Sequence, residues 1–241
     1  MHKGVLDMKT FRIIKLTLCF VLALTLLAGC HKKKVTSPVQ LEAAAGERTA
    51  VINFEDYGSI SLKLFEKDAP EAVAQFIRLA QSGKYNGTTV KNVIDDYCLM
   101  VLASEADAGA SDKAFKEEIN TGYYPFRGAL CLTEAAGISA RQFMVVTADT
   151  AFLNELEELL AYKKVTPLEY FKTAYGAEID EETYKLFLAN GGAPWLYGHC
   201  IVFGQVFEGF DVLEAVSNTE VEEGASYTPV EDIIIESVEI K

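Results

Sequence analysis

The sequence predicts a mainly β domain flanked by helices, carrying one inserted helical segment and preceded by an export signal. Three observations carry this. Short runs of alternating apolar and polar residues recur between glycine turns, as in T-A-V-I-N-F (49–54) and S-I-S-L-K-L (59–64). An apolar run, Ile201, Val202, Phe203, Gly204 and Val206, sits between Gly198 and Gly209 and reads as a buried strand. Between Ala148 and Trp195, by contrast, apolar residues recur at helical spacing. A chain of 241 residues, 50% of them hydrophobic, is long enough to bury one sizeable core.

The elements follow in order. Lys9, Arg12 and Lys15 form a basic leader, and the apolar run over 16–27 is shorter than the roughly 20 residues a membrane-spanning helix needs. Residues 1–29 are therefore expected to be a signal peptide. They end in Leu27-Ala28-Gly29-Cys30, which resembles the bacterial lipobox, and the resemblance implies a lipidated Cys30 at the mature N-terminus. An uncleaved anchor would leave the domain on the same side of the membrane. Two acyl chains anchor stably where one is marginal. Lys32, Lys33 and Lys34 either add about 1 kcal/mol each against anionic lipid or serve as a solvated spacer. Residues 30–48 are expected to be the lipidated Cys and a flexible tether, with a reach on the order of 20 Å. The expected location is the outer face of the bacterial cytoplasmic membrane.

The domain over 49–241 opens with the strands 49–54 and 59–64, joined through Asp56, Tyr57 and Gly58 as a hairpin. Asp68-Ala69-Pro70-Glu71 starts a helix whose Val73, Phe76, Ile77 and Ala80 share one face, until Gly83 stops it. Residues 85–94 return to turn and strand. Residues 103–111 are small and acidic, a loop, and strands follow at 127–132 and 142–146. In the insert, about 149–193, Phe152, Leu153, Leu156, Leu159 and Leu160 make an amphipathic stripe. Thr166-Pro167-Leu168-Glu169 is a capping box with Pro at the first position, and Asp180 opens a last helix closed by Asn190-Gly191-Gly192. A short helix at 212–216 and a strand at 232–240 complete the domain.

Composition narrows the function. The formal net charge is −13, and removing residues 1–29, with Lys3, Lys9, Arg12 and Lys15 against Asp7, makes it more negative. Nucleic acid is excluded as a partner, because phosphate binding rests on Lys and Arg. Past Cys19 and Cys30, the thiols Cys98, Cys131 and Cys200 are odd in number and widely spaced, so they read as buried free cysteines. His199 stands alone in the domain, leaving no second histidine for a Ser-His-Asp or metal site, and no carboxylates are paired by spacing. No cofactor and no metal is expected.

Four segments resemble a known family. P-W-L-Y-G-H-C-I-V-F-G-Q-V-F-E-G-F (194–210) is similar to the late strand of the cyclophilin peptidyl-prolyl isomerases, W-L-x-G-x-H-x-V-F-G-x-V. The stretch from Ala69-Pro70 through Tyr85, Gly87-Thr88-Thr89 to Ile94 resembles their opening helix and strand, and 127–132 and 142–146 resemble R-G-x-L-x-M-A and S-Q-F-F-I. The resemblance implies a closed eight-stranded antiparallel barrel capped by helices, interrupted by the helical insert. It implies a monomer acting on proline-containing peptides or exported client proteins.

The implied chemistry is cis-trans isomerisation of an X-Pro bond over a barrier of about 20 kcal/mol. Such a catalyst desolvates and twists the bond and donates a hydrogen bond to the proline nitrogen as it becomes pyramidal. Carried over residue by residue, the family's Arg is Asn92 and its His is Cys200. Lys91 cannot replace the Arg, because neighbouring strand residues face opposite ways. Tyr97 and Gln142, the latter keeping the family residue, join Asn92 and Cys200 as the implied catalytic positions, and Cys98, Met100, Thr133, Met144, Trp195 and Leu196 take the peptide-binding positions. Weak isomerase activity assisting the folding of exported proteins is therefore expected. The alternative is a non-catalytic module binding proline-containing peptides or a partner protein. The family groove also brings Cys98 near Cys200, where a bridge is the less favoured alternative to free thiols, and the bland reading of Trp195 is a half-buried packing residue.

Overall fold

A computed structural model describes residues 38–42, 46–104, 118–119, 122–133, 141–222 and 227–241. The signal segment, Cys30 and Lys32 to Lys34 lie outside the described residues, as does most of the acidic loop. Eight strands, β1 (Thr49–Phe54), β2 (Gly58–Leu64), β3 (Thr88–Ile94), β4 (Cys98–Leu102), β5 (Ala129–Thr133), β6 (Gln142–Val146), β7 (Cys200–Glu208) and β8 (Ile234–Ile240), form a closed barrel. Their order around it is β1-β2-β7-β5-β6-β4-β3-β8, and each neighbouring pair is antiparallel. The helices are α1 (Pro70–Gln81), α2 (Thr150–Tyr162), α3 (Pro167–Tyr175), α4 (Glu181–Asn190) and α5 (Phe210–Ser217). This is the helix-capped barrel the resemblance implies, with α2, α3 and α4 inserted between β6 and β7. Among the described residues no helix is long and apolar enough to cross a membrane.

Alternation fills the barrel. Ile52, Ile60, Leu62, Leu99, Val101, Leu130, Phe143, Val145, Ile201, Phe203 and Ile235 are buried in one cluster, joined by Val73, Phe76, Ile77 and Ala80 of α1 and Leu213 and Val216 of α5. Phe76 reaches the centre, its ring 5.5 Å from Phe143 and 5.6 Å from Phe203. Its helix has Pro70 in the first turn but no side-chain cap of its own. The Glu118 carboxylate accepts instead from the Glu71 and Ala72 N–H groups, at 2.6 and 3.0 Å, which places negative charge where the helix dipole favours it.

Residues 38–42, which composition assigns to a flexible tether, are docked. Val39–Leu41 form a 3-10 turn whose Gln40 is buried. Its amide donates to the Tyr124 carbonyl (2.6 Å) and to Gln205 Oε1 (2.9 Å) and accepts from the Tyr124 N–H (2.9 Å). The buried Lys63 ammonium donates to the carbonyls of Val39 (3.1 Å) and Glu42 (2.8 Å). A polar segment with no hydrophobic period escapes pattern reading, because long-range hydrogen bonds hold it. Gln40→Ala leaves three polar partners unsatisfied and is expected to cost about 2 kcal/mol, read as a lower denaturant midpoint with an unchanged slope.

Candidate functional site

The residues that alternate away from the barrel interior build the candidate site. On β4, Leu99 and Val101 enter the core, while Cys98 and Met100 face outward; on β6, Phe143 and Val145 enter, while Met144 and Val146 face outward. Cys131 of β5 and Cys200 and Val202 of β7 belong to the same outer set. Left bare, such a face would expose a continuous apolar surface. It is instead roofed by Leu196, Ala193, Ala148 and Phe65, forming a second cluster distinct from the core.

A β-bulge sets the place of Asn92. Val90 pairs with Val101, but Asn92 pairs with Met100 and Val93 with Leu99, so Lys91 is the extra residue on β3. Simple alternation from the buried Val90 would carry Asn92 inward and Val93 outward. The bulge reverses this: Val93 is buried, Asn92 is half-buried beside Met100, and Lys91 is exposed.

Tyr97, Cys98, Met100, Met144, Trp195, Leu196 and Cys200, singled out in the sequence, all join this one outer cluster. Asn92 stands opposite Met100, which stands opposite Met144. The Gln142 amide donates to Met100 Sδ at 3.8 Å, and Thr133 lies opposite Cys200. Seven of the sequence-derived positions thus share one cluster, and Asn92, Gln142 and Thr133 adjoin its members through strand pairing or a side-chain contact. The two methionines give it an adaptable apolar floor.

Burial holds two of its thiols and its tyrosine neutral. Burial pushes the Cys98 thiol up to about 12. Burial first, and then the neighbouring Cys200 thiol, raises Cys131 well above its ordinary value. The Tyr97 hydroxyl is also raised, chiefly by burial and then by Cys98, with the Trp195 indole N–H opposing the rise. Neither Cys98 nor Cys131 therefore supplies a thiolate nucleophile at neutral pH. All three cysteines are free, so the Cys98 to Cys200 bridge is not formed. Native protein should resist iodoacetamide at pH 8 at all three positions and label fully once unfolded; fast native labelling would contradict this burial.

The insert adds what sequence reading missed. Trp195, on a 3-10 turn (Pro194–Leu196), packs against three clusters at once: the outer barrel face, the Phe126-Leu153-Phe187 group and the Phe171-Ala177-Tyr184 group. Its ring lies 5.5 Å from Tyr97, 6.1 Å from Phe152, 6.3 Å from Tyr175 and 6.4 Å from Phe171. Trp195 is therefore both a packing residue and a wall of the site. Between it and the β3–β4 turn opens a pocket of about 580 Å³, lined by Asp95, Asp96, Tyr97, Thr133 and Leu196, by Phe152, Leu156, Tyr170 and Tyr175 of the insert, and by His199. The insert residues show only a helical stripe in the sequence. Nothing local marks which side of each helix will turn toward Trp195.

Comparison with known proteins agrees with this geometry. The family model for cyclophilin type peptidyl-prolyl cis-trans isomerases matches residues 49–169 and 171–240. A Staphylococcus haemolyticus protein named "Putative peptidyl-prolyl cis-trans isomerase" is 31% identical over 192 residues, covering 76% of this chain and 87% of that protein. A Staphylococcus saprophyticus protein of the same name is 32% identical over 202 residues, covering 81% and 93%. A crystal structure of a Cryptosporidium parvum cyclophilin type peptidyl-prolyl cis-trans isomerase superposes with a TM-score of 0.55 at 18% identity, over 80% of this chain and 97% of that one. With its closed barrel, the outer-face groove and these matches, the chain belongs to the cyclophilin-type peptidyl-prolyl cis-trans isomerase family.

Proposed function

We propose that this protein is a slow peptidyl-prolyl isomerase for exported proteins, anchored through Cys30 at the outer face of a bacterial cytoplasmic membrane. The observation that carries the catalytic part is the composition of the groove. Cys98, Met100, Met144 and Leu196 supply an apolar site for a proline ring beside Tyr97 and Trp195, whereas the neutral, short Asn92 stands where the family has its charged donor. Burying an X-Pro amide there disfavours the charge-separated resonance form that gives the bond its double-bond character, which lowers the rotation barrier. Asn92 donates a hydrogen bond more weakly than a guanidinium would. Ground-state binding thus survives better than transition-state stabilisation.

Exchange spectroscopy by NMR on a Xaa-Pro peptide tests this. Purified protein should broaden and shift the peptide resonances and should accelerate cis-trans exchange, though far less than a cyclophilin bearing the arginine. Tyr97→Ala should weaken binding. Binding with no acceleration at all would favour the second reading, a proline-peptide binding module, which the Asn92 and Cys200 substitutions make specific. Absence of binding would defeat both. For the anchor, supported by Leu27-Ala28-Gly29-Cys30, the measurement is acyl labelling of the membrane fraction; labelling that persists in Cys30→Ser would overturn it.

A further inference from the structure

We propose that the pocket between the insert and the β3–β4 turn receives an arginine side chain of the bound peptide, so that the protein prefers proline segments with an arginine within two residues. This rests on the groove reading above and names its substrate class. The pocket adjoins the proline site, since Tyr97, Trp195 and Leu196 belong to both. Its volume of about 580 Å³ leaves room for a whole side chain.

The lining chemistry selects the occupant. Tyr97, Tyr170, Tyr175 and Trp195 offer aromatic faces, and Asp95 and Asp96 stand exposed beside them. No lysine or arginine is among the described residues that line the pocket, and neither aspartate is in a salt bridge among those residues. Partial burial raises the Asp96 carboxyl above its ordinary value, and the neighbouring carboxylates of Asp95, Asp149 and Glu155 add to that rise. Such a site repels an anionic ligand. A cation gains twice, from the ring faces and from the carboxylates. Arginine suits it better than lysine, because a flat guanidinium stacks on a ring while its edge forks to a carboxylate. The walls from Phe152, Leu156, Tyr170 and Tyr175 come from the inserted helices, so the insert and the β3–β4 turn of the barrel build the pocket together.

The test compares peptides in which proline is flanked, at up to two residues on each side, by arginine, by the neutral isostere citrulline or by alanine. Titration calorimetry with the full chain should show the best arginine peptide binding about tenfold more tightly than its citrulline twin. The Asp95→Asn, Asp96→Asn double variant should reduce that gap to less than twofold; Asp96 has φ of +50°, a conformation asparagine adopts readily. The acidic chain as a whole also attracts arginine, and that long-range attraction would survive Tyr175→Ala. Loss of the preference in Tyr175→Ala therefore places it in the pocket. Equal affinity for arginine and citrulline peptides, or a preference unchanged in both variants, overturns the proposal. If the alanine-flanked proline peptide still binds in that case, the groove reading stands without it. If the arginine peptide binds equally well with its proline replaced by alanine, and the alanine-flanked proline peptide does not bind, the groove reading falls and the pocket remains.

Discussion

Asn92→Arg is expected to raise kcat/KM on a Xaa-Pro peptide by about a hundredfold. A charged donor aimed at developing charge in a desolvated site is worth about 3 kcal/mol. The position can take the larger side chain: the bulge at Lys91 turns residue 92 outward beside Met100, and it is only half-buried. The guanidinium would then lie along the row Met100 and Met144, over which the proline ring is proposed to sit. Cys200→His is a different case, because Cys200 is buried against the Cys131 thiol and opposite Thr133. Enlarging it there costs packing energy, so adding it to Asn92→Arg should contribute little to the rate and lower stability by about 1–3 kcal/mol. Single-turnover or exchange kinetics on the Asn92→Arg protein decide the matter. An unchanged rate with intact peptide binding would mean that the missing donor is not what limits catalysis.

Gly192→Ala is expected to destabilise the protein by roughly 3 kcal/mol and to loosen the insert. Gly192 has φ of +122°, and a Cβ at that position would run into the Pro125 carbonyl and the Phe126 Cα. These are backbone atoms that cannot turn aside. The same residue closes the insert: its N–H donates to the Ala148 carbonyl at 2.8 Å, and the next N–H, of Ala193, donates to Pro125 at 2.8 Å. Insert exit, insert entry and the loop before β5 are thus tied at one point, immediately ahead of Trp195. A lower denaturation midpoint together with altered Trp195 fluorescence would be the expected pair of signals. A loss of stability below about 1 kcal/mol would show that the backbone there can yield.

The first two strands were legible from a period of two between turn residues, and β7 from an apolar run between Gly198 and Gly209. Thr49–Phe54 falls where the alternation places it, and Gln142–Val146 where the family segment places it. The first insert helix was legible from its Phe and Leu stripe and the next two from their starts at Thr166 and Asp180. Asp149, Thr166 and Asp180 each accept from the N–H three residues on, at 2.9, 3.2 and 2.7 Å, as short polar residues at helix starts do. The face on which Cys98, Met100 and Met144 meet was reached through the family motif. The face that Asn92 occupies depends on a bulge, and a bulge adds one residue without any distinctive side chain. The docking of Gln40 was hidden for a related reason: its partners, Tyr124 and Gln205, lie far away in the chain.

By itself, then, the sequence determined the elements, the family motif and the exchange of Arg and His positions for Asn92 and Cys200. Those are properties of single residues and of short-range periods. Only the tertiary structure decided that Trp195 joins groove to insert, that the Lys91 bulge carries Asn92 outward, and that Asp95, Asp96, Tyr170 and Tyr175 enclose one pocket. Each of these depends on which surfaces pack together when helices α2 and α3 fold onto the barrel. A side chain's own neighbours in sequence fix its helix or strand, whereas its neighbours in space fix its chemistry.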